Sequence, residues 1–148
     1  MLFRSAKTID SSAFSGCSKL SKVSATKVTT VESSAFKNCS SLTTIKLTNV
    51  KTIGANAFAG ASKLKTLTTG SSLKGIGAKA LSGASKVKTL TITSKKLTKA
   101  SIKNALKGSS VSTIKVKVSG SKKTQAKYVA AYAKIFSKSN CGKKVTVK

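Results

Sequence analysis

The sequence has no histidine, no proline and no tryptophan, and only two acids, Asp10 and Glu32, in 148 residues. Each gap removes a class of chemistry. Without histidine there is neither a histidine-based catalytic triad nor an imidazole metal site. Acid–base catalysis by paired carboxylates needs two acids facing one substrate, and these two are the whole supply. Cys17, Cys39 and Cys141 are too few and too scattered for a structural zinc site, and their spacing matches neither a disulfide scaffold nor a redox motif. Serine and lysine abound, so a Ser–Lys catalytic pair carries no information. No apolar run approaches the length of a membrane span. Met1-Leu2-Phe3 is too short for the core of a signal peptide, so the expectation is a piece of a longer protein with further repeats on its N-terminal side.

Lysine is present in excess. There are 29 lysines and arginines, Arg4 being the lone arginine, and the formal net charge is +27. Such a charge gathers polyanions and opposes compaction. Many lysines fall in turn-like stretches: Ser94–Lys99, Gly120–Lys123 and Cys141–Lys144. Nucleic acid would be held by counterion release. Arginine, the usual base reader, is nearly missing, and so are stacking aromatics, so that attraction would be blind to sequence. Cell-wall polymers such as teichoic acids, anionic lipids and sulfated glycans suit the charge equally well. The chain is also 39% hydrophobic, enough for one domain with a core.

That hydrophobic content is arranged periodically. The stretch "SSAFSGCSKL" at Ser11–Leu20 returns as "SSAFKNCSSL" at Ser33–Leu42. The large apolar residue of this motif falls at Phe14, Phe36, Phe58, Leu81 and Leu106, with gaps of 22, 22, 23 and 25. Leu20, Leu42, Leu64, Val87 and Val111 keep the same rhythm. So do Val23, Ile45, Leu67, Leu90 and Ile114, and Ile9, Val31, Ile53, Ile76 and Ile102. A period of 22 to 25 lies in the leucine-rich range. Each unit reads as one coil: a turn or short helix carrying the Ala-Phe step, then a strand. One coil cannot bury its own apolar side, but stacked coils can, which is why the unit repeats.

"KTIGANAFAGASKLKTL", Lys51 to Leu67, resembles the repeat of BspA-like leucine-rich repeat proteins of bacterial surfaces, and the resemblance runs from Ile9 to about Val118. It implies a non-catalytic module for cell-surface binding and protein–protein contact. The last two units depart from the pattern: Leu81 and Leu106 replace Phe, and the unit at Ile102–Ala105 also loses its Gly, as coils near a terminus do. The expected fold is an α/β solenoid, a right-handed leucine-rich repeat coil of about five turns over residues 1–118, with one parallel sheet. Residues 119–148 read as a β-α-β cap of the same domain. Tyr128, Val129, Tyr132, Ile135 and Phe136 share one helix face, with Thr124 as N-cap and Gly142 as the stop. "KVTV" at Lys144–Val147 alternates like a strand. Tyr128 and Tyr132 are expected to make core contacts.

Three features could carry function. Asp10 and Glu32 share a column that later holds Gly54 and Gly77; a carboxylate opening a turn accepts backbone N–H bonds, and two are too few for calcium. Cys17 and Cys39 share a column with Ala61 and Ala84, which reads as a small inward position, although adjacent coils are near enough for a disulfide. The outward strand face is the third. It carries Thr44 and Lys46, Thr66 and Thr68, Thr89 and Thr91, then Lys115 and Lys117. Threonine suits an exposed strand and lysine deters edge pairing, so solubility alone accounts for the pattern. A water-ordering, ice-binding ladder is weakened by the lysines, and a saccharide surface by the lack of an exposed aromatic. The expected function is therefore adhesion or protein or glycan binding at a bacterial surface. The alternatives are salt-sensitive binding of a polyanion, nucleic acid or teichoic acid, and, last, an enzyme using lysine as nucleophile. No cofactor and no metal is expected.

Overall fold

In the computed structural model, which describes residues 1–2 and 5–148, the repeat columns become stacked layers. Each coil begins with a two-residue strand: β1 (Thr8–Ile9), β3 (Thr30–Val31), β5 (Thr52–Ile53) and β7 (Gly75–Ile76). A tight turn follows. The coil then runs into a second strand: β2 (Lys22–Ser24), β4 (Thr44–Leu47), β6 (Thr66–Thr69), β8 (Thr89–Ile92) and β9 (Thr113–Val116). All pairing is parallel. Side chains alternate in these strands, so Ile45, Leu47, Leu90, Ile92 and Ile114 are buried while Lys46, Thr89 and Lys115 are exposed.

The short first strands form a ladder of their own, in the order β1-β3-β5-β7. Sequence periodicity pointed to one parallel sheet; this second ladder runs along another side of the coil. Ile9, Val31, Ile53 and Ile76 turn inward from it. It stops at β7 because the next coil sets a 3-10 turn, Ala100–Ile102, in that place.

The Ala-Phe segment is a turn and not a helix. Its shape needs two left-handed positions per coil. One is held by Ser12, Ser34, Asn56, Lys79 and Asn104; the other by Gly16, Asn38, Gly60, Gly83 and Gly108. This explains the glycine of the repeat motif, since glycine takes positive φ without penalty. The turns also bond to one another. Phe14, Phe36 and Phe58 donate their N–H to the carbonyls of Ala35, Ala57 and Ala80, each at 2.8 Å. Their rings stack in consequence, Phe14 on Phe36 at 5.4 Å and Phe36 on Phe58 at 5.6 Å. Burial of each large side chain in this interior contributes about 1.5–3 kcal/mol.

The C-terminal segment closes the stack. Helix α1 (Lys122–Ile135) buries Tyr132 against the core, with Phe136 buried just beyond its end. The Tyr132 hydroxyl donates to the Ser94 carbonyl at 2.6 Å. Both tyrosines pack as the helix face implied, Tyr128 half-buried. The helix caps differ from expectation. Ser121, not Thr124, is the N-cap, and its side chain accepts from the Thr124 N–H. Gly142 ends a separate short helix, α2 (Lys138–Cys141). Within α2, Asn140 accepts the Asn104 N–H at 2.6 Å, so the cap supplies the partner that a next coil would supply. Strand β10 (Thr146–Val147) pairs with β9 and extends the sheet.

Candidate functional site

The eight strand-face positions singled out by sequence lie where alternation puts them, pointing away from the core. Lys46, Thr66, Thr89, Lys115 and Lys117 are exposed; Thr44, Thr68 and Thr91 are half-buried. Register brings Thr44 beside Thr66, Lys46 beside Thr68, and Thr91 beside Lys115. The two acids lie elsewhere, in the turns that follow β1 and β3. Glu32 accepts the Ser11 N–H at 3.1 Å and the Ser11 hydroxyl at 3.0 Å. It therefore ties one coil to the next. Gly54 and Gly77 hold the same column later, and there a Cβ would lie 2.5 Å from the Glu32 backbone and 2.4 Å from the Ala55 nitrogen respectively.

The strand face is not one unbroken sheet. Strands β2-β4-β6 form one group and β8-β9-β10 another, and among the described residues no ladder joins β6 to β8. The bond that recurs beside the strands shows the same gap. Thr43 donates to Ser21 at 2.8 Å, Lys65 to Thr43 at 2.9 Å and Ser112 to Lys88 at 2.9 Å, but Lys88 and Lys65 are not joined. On the turn side the same two coils remain bonded, Asn56 to Ala78 at 3.0 Å and Gly60 to Ser82 at 2.8 Å. The third and fourth coils are thus closed at the back and parted at the front.

The turn after β6 differs from the one after β4. Buried Leu47 is followed after three residues by buried Val50, whereas Thr69 is followed after four by buried Leu73. The extra residue lies in Gly70-Ser71-Ser72. Gly70 also settles so close to coil two that a Cβ there would collide with the Thr48 carbonyl oxygen. The end of β6 thus follows the coil before it.

The opening is a cavity of about 300 Å³, lined by Thr66, Thr68, Thr69, Thr89, Thr91 and Thr93, with Leu67 and Lys65. Thr69 is the residue the strand-face reading passed over. It occupies the inward column otherwise filled by Ala25, Leu47, Ile92 and Val116, and is 7% exposed. Its hydroxyl has no hydrogen-bond partner, and neither has the buried hydroxyl of Thr93. A hydroxyl at the place of a leucine was the available signal.

Cys39 is buried and donates to the Phe14 carbonyl at 3.0 Å, while Cys17 is exposed, and all three cysteines are free thiols. Burial, reinforced by Cys17 nearby, pushes the Cys39 thiol up to about 11. Such a thiol is a poor nucleophile. Cys141 is buried and donates to the Ser137 carbonyl at 3.0 Å. Among the described residues no group of three or more His, Cys, Asp or Glu side chains could hold a metal ion. No described helix is long and apolar enough to cross a membrane.

Comparison with known proteins agrees with this architecture. A sequence model of the BspA type leucine rich repeat region matches residues 2–110, in six copies. Among solved structures, the chain is similar to a leucine-rich repeat protein of T. pallidum, with 22% identity and a TM-score of 0.62. The similarity covers 73% of this chain and 51% of that one, so this chain spans about half the length of the protein it resembles. No curated protein matches the sequence.

Proposed function

Because the chain belongs to the BspA-type leucine-rich repeat family, we propose that it is a non-catalytic interaction module of a bacterial surface that binds protein or anionic glycan through its outward strand face. The family supports a repeat-based module for protein interaction. One observation carries the choice of face. Thr44, Lys46, Thr66, Thr68, Thr89, Thr91, Lys115 and Lys117 all point outward on the strand side, and both acids sit away from it. A partner approaching the strands meets short hydroxyls flanked by ammonium groups, with no Asp or Glu side chain to repel an anion.

The test is surface binding to immobilised mucin and lipoteichoic acid. Wild type is compared with a variant carrying Thr44→Glu, Thr66→Glu and Thr89→Glu. The variant is expected to bind at least about tenfold more weakly, since like charges now oppose the ligand. Equal binding by the two proteins would move the function off this face.

A second reading rests on the +27 charge itself: polyanions, nucleic acid included, are held by lysines all over the surface. Affinity would then fall steeply between about 50 and 200 mM salt, and a strand-face variant would lose no more than one altered in turn lysines. A flat salt response excludes it.

A further inference from the structure

We infer that the corner where the third and fourth coils enter their strands binds a sulfated glycan chain. The inference rests on the chain being an interaction module, and gives that module a ligand class and a place beside the strand face. Four lysines carry it. Leu64 and Val87 are buried anchors of one repeat column. Each has a lysine on both sides, Lys63 and Lys65 in the third coil, Lys86 and Lys88 in the fourth. With the anchor turned inward its neighbours face solvent, and all four lysines are exposed. No other coil carries this doublet. Leu20 lies between Lys19 and Ser21, Leu42 between Ser41 and Thr43, and Val111 between Ser110 and Ser112. The Ser85 hydroxyl donates to the Ser62 carbonyl at 3.0 Å, which holds the segment carrying Lys86 against the one carrying Lys63.

Four ammonium groups at one junction repel one another, and neither Asp10 nor Glu32 relieves them, since both lie in the turns of the first two coils. The bond that joins neighbouring coils elsewhere is missing at the same spot, between the Lys88 N–H and the Lys65 carbonyl. Anions bridging the two pairs offset that repulsion. A lone phosphate or sulfate offsets at most two of the four charges, so a chain bearing several anions fits better. The surroundings choose among such chains. Ser62–Thr66 and Ser85–Thr89 contain no aromatic residue and no arginine. Nucleobases therefore find neither a stacking platform nor a bidentate reader. Ser62, Thr66, Ser85 and Thr89 are exposed beside the lysines, and their hydroxyls can pair with the hydroxyls that a glycan carries between its charges. Sulfate esters can place a charge on every ring, whereas a phosphodiester polymer has one per repeating unit. The denser chain matches the denser cluster.

The experiment titrates a heparin octasaccharide into the whole chain at about 0.15 M salt. The comparison ligands are the same octasaccharide stripped of sulfate, lipoteichoic acid and a single-stranded DNA oligonucleotide. The corner variant carries Lys63→Ser, Lys65→Thr, Lys86→Ser and Lys88→Ser, residue types that other coils already hold in these columns, so it is expected to fold. A control variant loses the same charge from scattered exposed lysines, by Lys27→Ser, Lys37→Ser, Lys74→Thr and Lys134→Ala. The corner variant should bind heparin at least about tenfold more weakly than wild type, and the control less than about threefold more weakly. In wild type the amide shifts should centre on residues 62–66 and 85–89. Equal losses in the two variants, or shifts spread over the surface, would overturn the site. Equal affinity of wild type for heparin and for the stripped octasaccharide, lipoteichoic acid or DNA would overturn the ligand class. The strand-face variant described above, tested on mucin, separates this inference from the reading it rests on. If that variant loses mucin while the corner variant keeps heparin, the corner alone fails. If heparin binding depends on the corner while mucin binding ignores the strand face, the strand-face reading alone fails.

Discussion

Replacing Phe36 probes whether the stacked interior holds the coils together. The side chain is fully buried, with the Phe14 ring 5.4 Å away on one side and the Phe58 ring 5.6 Å away on the other, both nearly parallel to it. Phe36→Ala removes the ring and leaves a cavity between two coils, at a cost of about 3–5 kcal/mol. Phe36→Leu isolates the stacking. Leucine is the residue this column already uses at Leu81 and Leu106, both buried, so the site tolerates its shape. What is lost is two aromatic pairs, each worth about 0.5–1.5 kcal/mol beyond burial, or about 1–3 kcal/mol together. Urea unfolding followed by circular dichroism reads both values. Amide exchange locates them, because a solenoid coil touches only its neighbours, and protection should fall first in coils one to three. Two results would refute the reasoning: Phe36→Leu within 0.5 kcal/mol of wild type, about the size of a surface change, or exchange that quickens equally in α1.

Two further outcomes follow from buried polar groups. Tyr132→Phe strips the donor from the Ser94 carbonyl and should cost about 1–2 kcal/mol in the same urea assay, with faster exchange across α1; an unchanged midpoint would mean the helix docks by apolar contact alone. Cys39 is held neutral by burial, so its thiol ionises at a higher pH in the folded chain than in the unfolded one. The stability this contributes is whole below the ordinary thiol value of 9.0 and is lost as pH rises towards about 11. Unfolding midpoints of wild type and Cys39→Ala, measured across that window, should therefore converge as pH rises; curves that stay parallel would contradict the assignment.

Much of this architecture was legible in the residues because columns repeat. Phe36, Leu42, Ile45 and Ile53 are buried as their period required. In the first coil Phe14 and Leu20 keep the same period but are only partly buried, since this coil has a full neighbour on one side. The second ladder was harder to foresee. Ile9, Val31, Ile53 and Ile76 formed a visible column, yet a two-residue strand is too short to show alternation. The caps at Ser121 and Gly142 were misplaced because several residues nearby could serve, and only geometry chooses. The strand face was foreseen from alternation, but its interruption was not. Pairing between coils depends on backbone approach, and one extra residue near Gly70 is a faint mark for so local a change. Thr69 was the clearer mark, a hydroxyl among Ala25, Leu47, Ile92 and Val116.

A stack whose third and fourth coils are bonded at the back and unpaired at the front has a preferred crease there. At that junction fewer inter-coil bonds resist separation, and the turn-side bonds at Asn56 and Gly60 would serve as the spine of an opening book. Bending of the stack is therefore expected to start between its third and fourth leaves.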